Sequence, residues 1–150
     1  MRVRSDRRHR FAVTPEELWG AVSDVDRYTI WWPWLREFEA EGLIEGDEWT
    51  CVVQPPLPYT VRFTILIEDV VPELLVGASV HGDIEGEASV SFRHLDGSRT
   101  EARLVADLAP AHAVLKTVGL LAGPVVRIAH NWILDTGARQ FRERVIEGGD

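Results

Sequence analysis

The hydrophobic period of this chain changes once along its length, and that change limits what it can fold into. Most of the chain up to residue 108 alternates apolar and polar residues, the pattern of strands with one buried face. From residue 111 to 146 the apolar residues recur instead at helical spacing. A long helix that follows a run of strands must bury its apolar stripe against the sheet those strands make.

The spacing predicts strands over 4–13, 35–41, 48–54, 59–71, 75–81, 88–95 and 100–108. The clearest is 59–71, where Tyr59, Val61, Phe63, Ile65 and Ile67 share one face and Thr60, Arg62, Thr64 and Glu68 the other. Trp49, Cys51 and Val53 share a face of their strand. Turns are expected at Glu45-Gly46-Asp47, across 82–86, and at Asp96-Gly97-Ser98, a strong hairpin signal. The breaker Pro55-Pro56-Leu57-Pro58 precedes the clearest strand. Thr14-Pro15-Glu16-Glu17 reads as a helix start, with Thr14 as N-cap, proline in the first turn and Glu17 completing a capping box. Leu18, Trp19 and Val22 supply its buried side. Ser23-Asp24 and Asp26 predict a second short helix that ends before Trp31, because Pro33 disfavours a helical Trp32. In the last helix, Gly123-Pro124 is expected to kink or split the element. At about 100° per residue, Ala122, Val126, Ala129, Ile133 and Gly137 form its buried stripe. His130 and Phe141 lie at one edge and Trp132 at the other, with Arg127, Asn131, Asp135 and Arg142 on the far side.

The predicted fold is therefore α+β: one domain over 1–150, with a curved antiparallel sheet of seven strands around a long C-terminal helix and two short helices after the first strand. That order and its motifs resemble the START-like (SRPBCC) superfamily, in particular its polyketide cyclase/dehydrase branch, over nearly the whole chain. The resemblance rests on Thr14-Pro15-Glu16-Glu17-Leu18-Trp19, on Asp24-Val25-Asp26-Arg27-Tyr28 leading to Trp32, and on Leu57-Pro58-Tyr59. It rests also on Gly82-Asp83-Ile84-Glu85-Gly86 and on His130-Asn131-Trp132 with Gly137. In the strand after the Gly-Asp hairpin, where the family often carries an aromatic, this chain has Ala88-Ser89-Val90. The resemblance implies a helix-grip fold with a cavity between sheet and last helix. It also implies a role among lipid and hormone carriers, quinone-binding proteins and aromatase/cyclases.

Charge and composition exclude several functions. A formal charge of −8 argues against general binding to nucleic acid or anionic membrane, and the basic run 2–10 reads as a solvated strand that protects a sheet edge. All but one of the 16 Lys and Arg residues are Arg, the exception being Lys116. No apolar run approaches the ~20 residues of a membrane span, and no apolar segment follows the basic start as in a secretory signal. Cys51 is the only cysteine, so a reducing, cytoplasmic setting is expected. His9, His81, His94, His112 and His130 show no metal-ligand spacing, and no phosphate loop or GxSxG nucleophile motif is present, so neither metal nor cofactor is expected.

The candidate ligand-binding residues are Trp32, Trp34, Tyr59, Phe63, His130 and Trp132. Of the 6 Trp in the chain, three fall within 31–34, where they serve either as a core plug or as the mouth of an aromatic-walled cavity. His130 is the weak catalytic candidate, either as an acid or base on an enolisable ligand or as a hydrogen bond fixing helix to sheet. Alternation puts Arg62 opposite Phe63, so solvent exposure is the default for Arg62 and Arg103. An inward arginine that holds a carboxylate or phenolate, as the resemblance to cyclases implies, is left open as the alternative. Three functions follow, in order of preference: a binder of a small hydrophobic or aromatic molecule (polyketide, lipid or isoprenoid-like); an aromatase/cyclase or dehydratase working in the same cavity; and an interaction module with a filled core. Homodimer formation through an edge strand or the Trp cluster is open.

Overall fold

A computed structural model describes residues 2–56, 59–111 and 123–147. Strand β1 (Val3–Phe11) is followed by helix α1 (Pro15–Ser23), a 3-10 turn (Val25–Arg27) and the single-turn helix α2 (Tyr28–Trp31). Six strands come next: β2 (Leu35–Glu39), β3 (Glu48–Val53), β4 (Val61–Val71), β5 (Leu75–Gly82), β6 (Ile84–His94) and β7 (Thr100–Pro110). Helix α3 (Gly123–Phe141) and a π-helical turn (Arg142–Ile146) close the described chain. The strands form a seven-stranded antiparallel half-barrel in the order β1-β7-β6-β5-β4-β3-β2. Each strand from β2 to β7 pairs with its chain neighbour; β1 crosses to the other edge and pairs with β7. Among the described residues no helix is long and apolar enough to cross a membrane.

Local chemistry sets the element ends. Thr14 and Glu17 form the reciprocal capping box expected of them. β1 stops at Phe11 rather than 13, because the Val13 carbonyl accepts the Thr100 hydroxyl at 2.7 Å and leaves the ladder. β2 stops at Glu39 rather than 41, because the Asp47 carboxylate accepts the amides of Glu41 and Gly42 and bends the chain away. The second helix begins without a side-chain cap, since Asp24 makes no capping bond, and it includes Trp31. Trp32 is extended (φ −121°, ψ 92°), as its proline neighbour requires.

The turn expected over 82–86 is far tighter. Ile84 to Gly86 already belong to β6, and Gly86 pairs with Val80. Asp83 makes this corner by pegging two other strands: its amide and carboxylate bond the backbone of Arg62, and its carbonyl accepts the Ala111 amide. The corner needs glycine twice. Gly82 (φ +136°) has no room for a Cβ, which would fall 2.7 Å from the Arg62 carbonyl oxygen. A Cβ on Gly86 (φ +151°) would fall 1.9 Å from that of Asp107.

The core is divided. Tyr28 is the hub of one half, with the rings of Trp31, Trp32, Phe38 and Trp49 within 4.9 to 5.8 Å of its own. Its hydroxyl donates to the Val22 carbonyl, and burial pushes the phenol's pKa upward. This half holds the C-terminal end of α3. Trp32 Nε1 donates to the Gly137 carbonyl and Trp34 Nε1 to Gln140 Oε1, both at 2.9 Å. Gly137 admits the Trp34 ring, whose edge would lie 3.2 Å from a Cβ there. Phe141 packs edge-on against Trp31 and Phe11. Arg142 lies 4.5 Å over the Phe11 ring and donates to the Arg10 carbonyl, and Arg144 donates to that of Trp31. Of the predicted stripe, Ala129 and Gly137 are buried and Ile133 is half-buried. Leu57, Pro58, His112, Lys116, Ala122, the Val126 side chain and any kink or split before Gly123 lie outside the described residues.

Gly86→Ala is expected to lower the unfolding free energy in urea by about 3 kcal/mol or more, since strain and overlap with backbone combine. Gly20→Ala, on the exposed side of α1 with nothing within 4 Å, is expected to raise it by about 0.5–1 kcal/mol.

Candidate ligand cavity

The other half of the core is not filled. Beneath the N-terminal half of α3 lies a cavity of about 260 Å³. Strand alternation builds its floor: Val61, Phe63 and Ile65 from β4, Val80 from β5, Ile84 and Ala88 from β6, Leu104, Ala106 and Leu108 from β7. Val3, Val53, Pro55 and Tyr59 complete the rim. Ala129, His130, Ile133 and Leu134, two pairs at i,i+4 spacing, form the roof. The space follows from residue size. Ala88 and Ala106 are cross-strand partners, and Ala129 is the small residue on the helix side of the same cavity.

His130 is the lone imidazole in the described wall. Its Nε2 pairs with the hydroxyl of Ser5, a buried residue of β1. Burial first, then repulsion from Arg7 and Arg127, holds its pKa below the ordinary value, so the ring is neutral at pH 7. Tyr59 also borders the cavity; burial raises its pKa, so its hydroxyl stays protonated. Gln54 Nε2 bonds the Tyr59 carbonyl at 3.0 Å and fixes the backbone there. Among the described residues the wall is otherwise apolar, and these two neutral polar groups can orient a ligand but hold no charge.

Of the sequence candidates, Tyr59, Phe63 and His130 are brought together at the cavity. Trp32 and Trp34 sit in the aromatic cluster beside Gly137, and half-buried Trp132 is not among the described lining residues. Arg62 and Arg103 point outward, paired with Glu37 at 3.6 Å and with Asp6. Cys51 is buried outside the lining, and burial pushes its thiol up to about 12, which leaves it unreactive. Among the described residues no group of His, Cys, Asp or Glu is arranged to hold a metal. Sequence reasoning did not single out Leu104, Ala106, Leu108 or Val80 as wall residues, although the alternation Leu104, Ala106, Leu108 carried the signal; Ala88 was marked only as standing where the family often has an aromatic. Nothing in the sequence marked Ser5, 125 residues from His130, as its partner.

No family model matches the chain, and no curated protein matches it in sequence. Solved structures do. A START superfamily protein from Mycobacterium smegmatis is 15% identical over 97% of both chains, with a TM-score of 0.75. A protein from Thermus thermophilus is 17% identical over 100% of both, with a TM-score of 0.75. The Zhui aromatase/cyclase from a Streptomyces species is 14% identical over 100% of both, with a TM-score of 0.66. The chain has the START-like helix-grip fold, a fold shared with a polyketide aromatase/cyclase.

A histidine whose pKa is depressed by folding takes up its proton more readily when unfolded. Its contribution to stability is therefore full above the ordinary value of about 6.5 and is lost as the pH falls below it. His9, depressed by burial and by Arg142, acts in the same direction. Unfolding free energy is expected to decline from about pH 7 to about pH 5, and His130→Asn should flatten that decline in urea titrations at stepped pH.

Proposed function

We propose that this protein binds a small apolar molecule non-covalently between the sheet and α3, and that Tyr59, Phe63 and His130 contact it. The observation that carries this reading is the lining itself: among the described residues, apolar side chains from six strands and a helix, with a single imidazole that is neutral and already hydrogen-bonded. A cavity of about 150 Å³ accommodates one benzene ring, so 260 Å³ scales to a ligand of about ten non-hydrogen atoms, such as a fused bicyclic or a short-chain alkylbenzene. Ten buried carbons at about 0.8 kcal/mol each give about 8 kcal/mol before the cost of immobilisation. The expected Kd is therefore no tighter than about 1 μM. We place the binder in the cytoplasm, where its lone thiol stays reduced.

A second reading is acid/base catalysis of a cyclisation or dehydration on a polyketide-like ligand. It draws support from the aromatase/cyclase among the structures of like fold and from the position of His130 in the wall. Against it stands the chemistry of the wall, where one neutral imidazole has no carboxylate beside it to tune it.

Titration calorimetry with naphthalene is the direct test. Binding in the micromolar range is expected for the native chain. A loss of at least tenfold is expected for Ala88→Phe or Ile133→Trp, each of which fills the cavity from an opposite wall. His130→Ala should weaken naphthalene binding only by the one contact it removes, less than the cavity-filling variants do; turnover of a poly-β-ketone that this variant loses would favour the catalytic reading instead.

A further inference from the structure

Resting on the cavity being the binding site, we infer that it selects by charge, admitting neutral ring compounds and turning away their carboxylate counterparts. The placement of the arginines argues this first. The strands that make the floor and rim carry many guanidinium groups, and those beside the wall residues lie on the opposite face, engaged by acids or amides. Arg103, next to the lining residue Leu104, is bound to Asp6. Arg62, between Val61 and Phe63, is paired with Glu37. Arg7, the cation of β1 nearest the roof, reaches the far side of α3, where it donates to Asn131 at 2.8 Å and pairs with Asp135 at 3.4 Å. Arg127 on α3 is exposed. Alternation keeps Arg62 and Arg103 outward unless the register slips by one residue, whereas Arg7 shares the face of Val3 and Ser5 and is engaged instead by Asn131 and Asp135.

The polar groups that do face inward are of the wrong kind for an anion. Among the described residues they are His130 and Tyr59. The His130 ring already shares its Nε2 with Ser5, and burial keeps that ring neutral, so it offers an anion no charge. Among the described residues a carboxylate in this cavity meets at most one or two neutral donors, which does not replace its hydration. A ketone or phenol needs only one such bond. The chain's charge of −8 adds a weak repulsion of anions at long range.

The experiment is a matched pair measured at about pH 8, where His130 is neutral. 4-Ethylacetophenone and 4-ethylbenzoate have the same shape and differ in charge. Calorimetry is expected to show the ketone binding at least about 100-fold more tightly than the carboxylate, with naphthalene binding alongside the ketone. A smaller preference, or a carboxylate that binds better, overturns the charge selection while leaving the apolar cavity as the binding site. Failure of naphthalene and the ketone alike overturns the binding site itself, and the charge selection with it.

Discussion

The position of α3 depends on what grips its C-terminal half. Trp32 donates to the Gly137 carbonyl and Trp34 to Gln140, while Phe141, Arg142 and Arg144 close on the ends of β1 and α2. These contacts fix the helix at a set height above the sheet. The N-terminal half must then span the inner face of β4 to β7 at that height, whatever the side chains beneath it. Where those side chains are Ala88, Ala106 and Ala129, the gap stays open. A gap bounded by apolar side chains among the described residues is the feature on which the proposed binding rests.

Apart from Arg7, which meets α3, the arginines of the floor strands and of β1 lie on the other face of the sheet. Arg2 and Arg4 share Asp107, Arg103 holds Asp6, and Arg10 and Arg93 flank the buried carboxylate of Glu101 across the β1–β7–β6 register. Exposed pairs of this kind add little to stability one by one. Their collective effect is on register, since a one-residue slip would turn them to the inner face of the sheet. The basic run at the start of the chain is thereby absorbed into cross-strand pairs along an edge strand.

The architecture was legible because strong local signals agreed with one another. The Thr14–Glu17 box, the alternation from Tyr59 to Ile67, the Asp96-Gly97 hairpin and the change to helical period each rest on interactions within a few residues. Element ends were harder, because they are set by distant groups: Thr100 ends β1 and Asp83 makes the corner between β5 and β6. The site was legible in part for the same reason. Tyr59 and Phe63 announce their face by alternation, and His130 by its place on the helix. The tryptophans at 32 and 34 carried the stronger chemical signal, yet their indole N–H groups need acceptors, and α3 supplies them at Gly137 and Gln140, away from the cavity. The walls of alanine and valine carry almost no signal of their own, since a small apolar residue reads alike in a packed core and in a cavity.

The central claim is that apolar space lies between the sheet and the N-terminal half of α3, distinct from the packed aromatic half. Xenon, which enters apolar cavities without needing a polar contact, addresses it most directly. In methyl NMR spectra recorded under xenon pressure, the account predicts saturable shifts at Val80, Ala88, Leu104 and Ile133. It predicts none at Leu18 or Val25, which are buried in the packed core. Unmoved wall methyls, or shifts as large at Leu18 and Val25, would contradict it.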